Sequence, residues 1–191
     1  MSAPAKFRAF VDAIGGLLDR NADERAILPH ARDHVAALVA SDDWLPDAYA
    51  QPDPARYRQY LLYRDPAARF SVVSFVWGPG QATPIHDHTI WGVIGMLRGA
   101  EIAERFEAHE DGLRLVGSAR LEPGDVDAVS PAIGDLHRVA NAHADRVSIS
   151  IHLYGADIGV VERATYDPAG TRRPFVSGYA DAPPLLADVA A

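Results

Sequence analysis

The sequence contains no cysteine among its 191 residues. This absence excludes disulfide bonds, thiolate metal sites and a cysteine nucleophile. Any metal that the chain binds must therefore be held by histidine, aspartate, glutamate or water. The chain has 8 histidines, so a histidine-based site stays open.

Long apolar runs and clusters of basic residues are also lacking. No run approaches the roughly 18 apolar residues that span a bilayer, and the opening MSAPAKFRAF lacks the apolar core of a secretory signal. We therefore expect no membrane partner and a cytoplasmic location. The net charge of −8, without a Lys/Arg-rich run, argues against a nucleic-acid partner, because phosphate binding requires clustered cations. A small molecule is the expected partner.

What the chain does contain is enough apolar sequence to fill the core of one domain of ordinary size. Hydrophobic residues make up 48% of it. There is no helical repeat, low-complexity tract or second domain in the pattern, so we expect residues 1–191 to form a single domain. Residues 1–50 are expected to be a helical segment, and residues 57–180 to form a β-barrel with a closing extension.

Two helices are predicted within the first 50 residues. Apolar residues recur at helical spacing in the first one, and Asn21 with Glu24 resembles a capping box ahead of the second. Pro29 fits the first turn of a helix but not its interior. It is therefore expected to open a helix that ends near Ala40.

From Tyr57 onward the pattern changes to short β-rich runs separated by turn residues. Breaks such as GPGQ, EDG, EPGD and AIGD divide these runs. Many short strands at this spacing are typical of an antiparallel sandwich or barrel. The runs are YLLYR, RFSVVSFVW, WGVIGMLRG, EIAERFEA, LRLVGSARL, VDAVS and RVSISIHLYG.

Two histidines one residue apart lie in the stretch TPIHDHTIWG. Residues i and i+2 of a strand point to the same face, so His86 and His88 would present two imidazoles side by side. Such a pair can hold a metal ion. A solvent-exposed polar face is the alternative for a lone His-x-His motif.

A second polar pattern lies on the run RVSISIHLYG. One face of this strand is aliphatic, whereas the other carries Ser150, His152 and Tyr154 at successive i+2 steps. The serine would orient the imidazole, and the imidazole would orient the phenol hydroxyl. The alternative is a half-buried strand whose polar face lies in water.

The two histidine regions together resemble the two signatures of the cupin family. GQATPIHDHTIWGVIGMLRG, from Gly80 to Gly99, is similar to the first signature, and GDVDAVSPAIGDLHRVAN, with His137 and Asn141, is similar to the second. The resemblance implies a mainly β fold, the cupin double-stranded β-helix or jelly-roll barrel, here behind a helical N-terminal segment.

The residues also support a metal site on physical grounds. Three neutral imidazoles on a rigid sheet, from His86, His88 and His137, can bind a first-row divalent ion and leave positions open for substrate, dioxygen or water. Most cupins add a glutamate after the His-x-His pair, but this sequence has Gly92 at that position. The missing carboxylate suits an anionic substrate that binds the metal directly.

A three-histidine cupin with a Ser-x-His-x-Tyr strand resembles the thiol dioxygenases of the cysteine dioxygenase family. The resemblance implies Fe(II) bound by the three histidines, and Ser150, His152 and Tyr154 as a triad that acts beside the metal. It also implies a small thiol carboxylate and O2 as substrates, converted to a sulfinate. The cysteine–tyrosine cross-link of mammalian-type members is excluded here, because the chain has no cysteine.

The expected substrate follows from two further positions. In RYRQYLLYRDP, alignment on LLY places Gln59 where the family has Gln in enzymes similar to 3-mercaptopropionate dioxygenase, and Arg in enzymes for cysteine. A register slip of one residue would bring Arg58 there instead. Arg163, nine residues after Tyr154, resembles the carboxylate-binding arginine of the mercaptopropionate-type enzymes.

The resemblance therefore favours 3-mercaptopropionate as the substrate, held by Arg163, Gln59 and Tyr154. A cysteine dioxygenase is one alternative. A non-catalytic metal-binding cupin that senses a small ligand is another, of a different functional class. The preferred thiol, the formation of a homo-oligomer and the metal occupancy in the cell stay open at this point.

Overall fold

The computed structural model of the protein describes residues 3–20 and 23–186. Helix α1 spans Ala3–Arg20 and helix α2 spans Glu24–Val39. Asn21 lies outside the described residues, and with it the predicted capping box. No helix in the part of the chain that the structure describes is long and apolar enough to cross a bilayer.

Pro29 lies inside α2, so our prediction that it opens the helix is wrong. The helix starts earlier because Asp23 caps it, its side chain accepting a hydrogen bond of 2.9 Å from the backbone N–H of Arg25. The proline then removes one main-chain hydrogen bond from a helix that is otherwise held by its buried face. The helix ends at Val39, beside the predicted end at Ala40.

The first sheet contains five antiparallel strands. The predicted β-rich runs fall on strands to within a few residues. The strands of this first sheet, in spatial order, are β1 (Arg58–Arg64), β2 (Ser71–Trp77), β9 (Ser148–Tyr154), β4 (Gly92–Arg98) and β7 (Val126–Val129).

The second sheet contains six antiparallel strands and brings together segments that are far apart in the chain. Four of these strands were not singled out as runs in the sequence, because they are short or flanked by polar loops. In spatial order they are β11 (Arg172–Phe175), β10 (Arg163–Tyr166), β3 (Ile85–His86), β8 (His137–Asn141), β5 (Glu101–His109) and β6 (Gly112–Leu121).

The helices cover one face of the first sheet, and the second sheet covers the other. The outward aliphatic side chains of β9 share one buried cluster with both helices. α2 approaches the sheet so closely that a Cβ atom on Gly95 would lie 2.5 Å from the Val35 side chain. On the inner face, Phe75 and Trp77 of β2 pack with Val139 of β8.

This arrangement of two facing antiparallel sheets is the double-stranded β-helix of the cupin fold, with two helices at the N-terminus. The fold prediction is therefore confirmed. The alternative reading of β9, a polar face in water, is wrong, because all seven residues from Ser148 to Tyr154 are buried. The polar side of this strand points instead into the space between the sheets.

Candidate metal centre and active site

The three histidines meet at the second sheet. His86 of β3 pairs directly with His137 of β8, and their Nε2 atoms lie 3.2 Å apart. His88 follows β3 and turns its ring toward the same point. One ring nitrogen from each of the three lies within 4.8 Å of the others, and all three residues are buried. The structure thus brings together the residues predicted to bind a metal.

Hydrogen bonds on the far side of the rings orient two of these histidines. His86 Nδ1 donates to the carbonyl oxygen of Pro84 at 3.1 Å, and His88 Nδ1 donates to Asp135 Oδ1 at 2.9 Å. Both assignments leave Nε2 with a free lone pair toward the centre. An outer partner that fixes the tautomer in this way is typical of metal-bound histidine.

Asp135 also holds the loop that carries His88. Its carboxylate accepts from the backbone N–H groups of His88 at 2.9 Å and of Thr89 at 2.8 Å. Thr89 has φ of 60°, in the left-handed region that a threonine rarely adopts. Sequence reasoning missed Asp135, although its position two residues before His137, after a glycine turn, was a usable signal.

The donor set fits a divalent metal ion. His88 Nε2 is buried and has no hydrogen-bond partner, which is costly unless a ligand meets it. Burial, reinforced by the neighbouring histidines, holds the pKa of His86 and His137 well below the ordinary value, so both rings are neutral and able to coordinate. Three protein ligands leave coordination positions open for small molecules.

Ser150, His152 and Tyr154 form a continuous hydrogen-bonded chain, here called the polar chain. Ser150 Oγ lies 2.8 Å from His152 Nε2, and His152 Nδ1 lies 2.8 Å from the Tyr154 hydroxyl. Phe75 packs on the His152 ring with centroids 4.2 Å apart, and Trp77 Nε1 donates to Ser150 Oγ at 3.2 Å. These contacts fix the three side chains of the polar chain in place, and all three are buried from solvent.

The Tyr154 end of the polar chain lies beside the histidines. Its ring stacks on His88 with centroids 5.6 Å apart. Burial raises the pKa of Tyr154 above its ordinary value, against the opposing effect of Arg163, so the phenol is neutral. A Cβ atom on Gly92 would lie 2.9 Å from this ring. The glycine therefore leaves the room that Tyr154 occupies.

Arg163, on β10, is a buried cation without an acidic partner in residues 3–20 and 23–186. Only 3% of it is exposed, and its Nε atom lacks a hydrogen-bond partner. The guanidinium donates to Ser177 Oγ at 2.7 Å and stacks over the Phe175 ring at 4.7 Å. Its charge contributes to the lowered pKa values of His86 and His152. Such an arginine is ready to bind an anion.

The structure shows on which face of the first sheet each of two neighbouring residues lies. Gln59 pairs with Phe75, which in turn pairs with Ser150, so Gln59 lies on the inner face of the sheet. Arg58 lies on the opposite face and contacts Asp53 at 3.2 Å. The Gln59 amide donates to the carbonyl oxygen of Gly178. Its role toward a substrate stays a prediction.

A cavity of about 640 Å³ opens beside these residues. It is lined in part by Tyr57, Gln59, Ser177 and Tyr179, and Ser177 is the hydrogen-bond partner of Arg163. The three histidines do not line it. Arg163 does not line it either, and its contact with this cavity is through Ser177.

Comparison with known proteins agrees with this geometry. The sequence matches the family model for cysteine dioxygenase type I over residues 3–164. It is 27% identical over 117 residues to the curated cysteine dioxygenase type 1 of Danio rerio, a match that covers 59% of this chain and 56% of that protein. The chain therefore matches little more than half the length of this relative.

Solved structures with similar folds include two bacterial proteins. A Klebsiella pneumoniae protein with a double-stranded β-helix domain has a TM-score of 0.47 and 17% identity, covering 58% of this chain and 85% of that chain. A cupin superfamily protein from Desulfitobacterium hafniense has a TM-score of 0.43 and 14% identity, covering 64% and 87%. Neither likeness bears on activity. The family match spans most of the chain, and the protein belongs to the cysteine dioxygenase type I family.

Proposed function

We propose that this protein is an Fe(II)-dependent thiol dioxygenase that converts a small thiol carboxylate, 3-mercaptopropionate, and O2 to the sulfinate. Family membership supports a dioxygenase acting on a thiol. The three buried histidines support a metal-dependent reaction. The finer choice of substrate depends on the residues around them.

The observation that carries the proposal is the buried, unpaired charge of Arg163. An isolated buried cation is expensive unless an anion neutralises it. No carboxylate among the described residues does so, whereas the carboxylate of a bound substrate would, through paired N–H donors. The neutral Tyr154 hydroxyl, on the strand behind His88, provides a further donor or acceptor near the same place.

A substrate without an amine fits the remaining side chains. The two acidic side chains at the histidine-bearing loop, Asp87 and Asp135, are engaged: Asp87 accepts from Ala164 N and the Tyr166 hydroxyl, both at 2.7 Å, and Asp135 holds the His88 loop. Neither is free to bind an ammonium group. Gln59 is uncharged, and its amide is used by a main-chain carbonyl.

The proposed chemistry divides between metal and protein. His86, His88 and His137 would hold an Fe(II) ion, whose chemistry when bound would be to favour the thiolate form of the substrate and to allow its oxidation by dioxygen to the sulfinate. Arg163 would hold the carboxylate and so position the sulfur. Phe75 and Trp77 exclude water from the polar chain, which keeps its hydrogen bonds strong.

The test is oxygen uptake by the Fe(II)-loaded chain with 3-mercaptopropionate and L-cysteine in parallel, with the sulfinate quantified. We expect kcat/KM to favour 3-mercaptopropionate by tenfold or more, about 1.4 kcal/mol in transition-state binding. A preference for cysteine would make the protein a cysteine dioxygenase. No uptake with either thiol, with metal bound, would leave a non-catalytic metal-binding cupin.

A pair of arginine variants tests the carboxylate site. Arg163→Gln should raise KM for 3-mercaptopropionate by about 10- to 100-fold, because a charge-assisted hydrogen bond contributes roughly 1.5–3 kcal/mol. Arg173→Gln, on the exposed neighbouring strand β11, is the matched control and should leave KM unchanged. Equal KM values for both variants would show that Arg163 does not bind the substrate carboxylate.

A further inference from the structure

Glu101, the first residue of β5, is a buried acid that the proposed reaction does not use. It is 0% exposed, and both of its carboxylate oxygens lack a hydrogen-bond partner. None of the ion pairs in the described part of the chain includes it. A buried carboxylate without a partner needs a reason, because its ionised form is strongly disfavoured there.

The surroundings of Glu101 are uncharged on every packed element. Its cross-strand partners are Asn141 on β8 and Leu121 on β6. Leu121 clusters with Met96 of β4, which pairs with Ser150 of β9. No charged side chain contributes to the shifted pKa of the acid, and Tyr154 of the polar chain is a titratable group whose own pKa Glu101 affects.

Two groups beside this carboxylate connect it to the polar chain: Ser150, the first member of the chain, and Trp77, which donates to Ser150. Ser150 and Trp77 lie close enough to oppose the rise in its pKa, although neither makes a full hydrogen bond to it, since they are engaged with each other. Burial dominates and raises the pKa of Glu101 to about 7. Both its charged and its neutral forms are therefore accessible near neutral pH.

The polar chain can run in two directions. In one direction Ser150 donates to His152 Nε2, and His152 Nδ1–H donates to Tyr154, so the phenol donates its own proton toward the metal side. In the other direction the phenol donates to Nδ1, and Nε2–H donates to Ser150, whose hydroxyl proton then needs an acceptor. The only carboxylate beside Ser150 in the described residues is that of Glu101.

We propose that Glu101 is the fourth member of the polar chain, a positioning residue whose charge sets the direction in which the chain donates. When Glu101 is ionised it accepts from Ser150, and Tyr154 presents an acceptor oxygen to the metal side. When Glu101 is protonated it donates to Ser150, and Tyr154 presents its hydroxyl proton.

The two states interconvert by moving one proton through the chain, with no change of oxidation state. A proton that arrives at the Tyr154 oxygen displaces the phenol proton to His152 Nδ1. The Nε2 proton then passes to Ser150, whose own proton forms an O–H bond on the Glu101 carboxylate. Under the proposed function, on which this step rests, the substrate S–H bond breaks and supplies that proton when the thiol binds as thiolate.

The ring nitrogen of His152 that carries the proton shows in which direction the polar chain donates its hydrogen bonds, and it can be measured without catalysis. We would follow it by ¹⁵N NMR of the full chain loaded with Zn²⁺, between about pH 5.5 and 8.5. Burial keeps the pKa of His152 below its ordinary value, so the ring stays neutral and only the proton position changes. We expect the proton on Nδ1 at low pH and on Nε2 at high pH, with a midpoint near 7.

Three variants isolate the cause. Glu101→Gln should abolish the tautomer change, and it should remove the infrared carbonyl band of a buried carboxylic acid from the low-pH minus high-pH difference spectrum. Ser150→Ala should keep that band, because Glu101 still titrates, but the tautomer of His152 should no longer change with pH. Glu104→Gln is the matched control on the same strand, since Glu104 pairs with the half-exposed Arg138 at 2.7 Å, and it should behave as wild type.

The proposal is overturned if the wild-type tautomer is constant over this range, which can be measured without any variant. It is also overturned if the change persists in Glu101→Gln. Oxygen uptake is scored separately: a tautomer change without thiol oxidation refutes the proposed function and leaves the coupling of Glu101 to the chain intact. Thiol oxidation with a constant tautomer refutes the coupling alone.

Discussion

The two faces of β9 are equally buried but differ in chemistry. Ile149, Ile151 and Leu153 pack against the helices in an apolar cluster. Ser150, His152 and Tyr154 face the second sheet and hydrogen-bond to one another. Burial alone therefore does not separate structural from functional residues in this protein. What separates the two faces is that one is apolar and packs on helices, whereas the other carries polar groups that reach the histidines through the contact of Tyr154 with His88.

The largest expected effect comes from the inner side of the molecule. His137→Ala removes one of three metal ligands, so we expect metal affinity to fall by more than the roughly 10- to 100-fold that changes of outer partners cause, and thiol oxidation to disappear. Metal content after dialysis and oxygen uptake measure both effects. His109→Ala, at an exposed hairpin end, is the control. Full metal content in His137→Ala would contradict the ligand assignment.

The aliphatic face should respond in the opposite way. Ile151→Ala leaves a cavity between β9 and the helices, and we expect a loss of about 2–5 kcal/mol in the free energy of unfolding with metal binding kept. Denaturant titration measures the loss. Leu115→Ala, at a residue that is 53% exposed, should change stability by less than about 0.5 kcal/mol. A loss of metal in folded Ile151→Ala would mean that the two faces are not independent.

Ionisation of the buried Glu101 carboxyl should lower the free energy of unfolding at high pH. Its pKa is raised from 4.5 to about 7 in the folded protein, so the folded state binds more protons than the unfolded state between these values. Wild-type stability is therefore highest below pH 4.5 with respect to this group, and falls by about 3 kcal/mol as pH rises through 7.

Glu101→Gln should lack this decline. Its free energy of unfolding relative to wild type should rise by about 3 kcal/mol between pH 4.5 and pH 7.5. Urea titrations at several pH values measure the difference, with Glu104→Gln as the reference for a half-buried, ion-paired acid. Parallel pH profiles for wild type and Glu101→Gln would show that this acid is not buried as described.

The smallest of these effects concerns the support of the metal centre. Asp135→Asn removes the charge that orients His88 and holds its loop. We expect metal affinity to fall by about 10- to 100-fold, with folding retained. Competition with a chelator measures the affinity. Asp111→Asn, at an exposed turn, provides the comparison, and an equal affinity for both variants would deny Asp135 a role at the centre.

Much of the fold and part of the site followed from local patterns. The alternation along β9 predicted two different faces because side chains of a strand point to opposite sides whatever surrounds it. The spacing of His86 and His88 predicted two imidazoles on one face of a strand, and the resemblance to the second cupin signature added His137 to them. Pro29 was misplaced because the capping by Asp23 and the packing of α2 outweighed its local preference.

Residue identity and strand periodicity were enough to predict the alternating faces of β9, the lack of cysteine ligands and the His86–His88 pair, whereas the third histidine came from the family resemblance. Tertiary packing was needed to show that Gln59 rather than Arg58 lies on the inner face of the first sheet, and that Arg163 and Glu101 are buried without an ion-pair partner among the described residues. Register and burial arise when strands far apart in the chain pack together. No local pattern records which charge will be left unpaired between the two sheets.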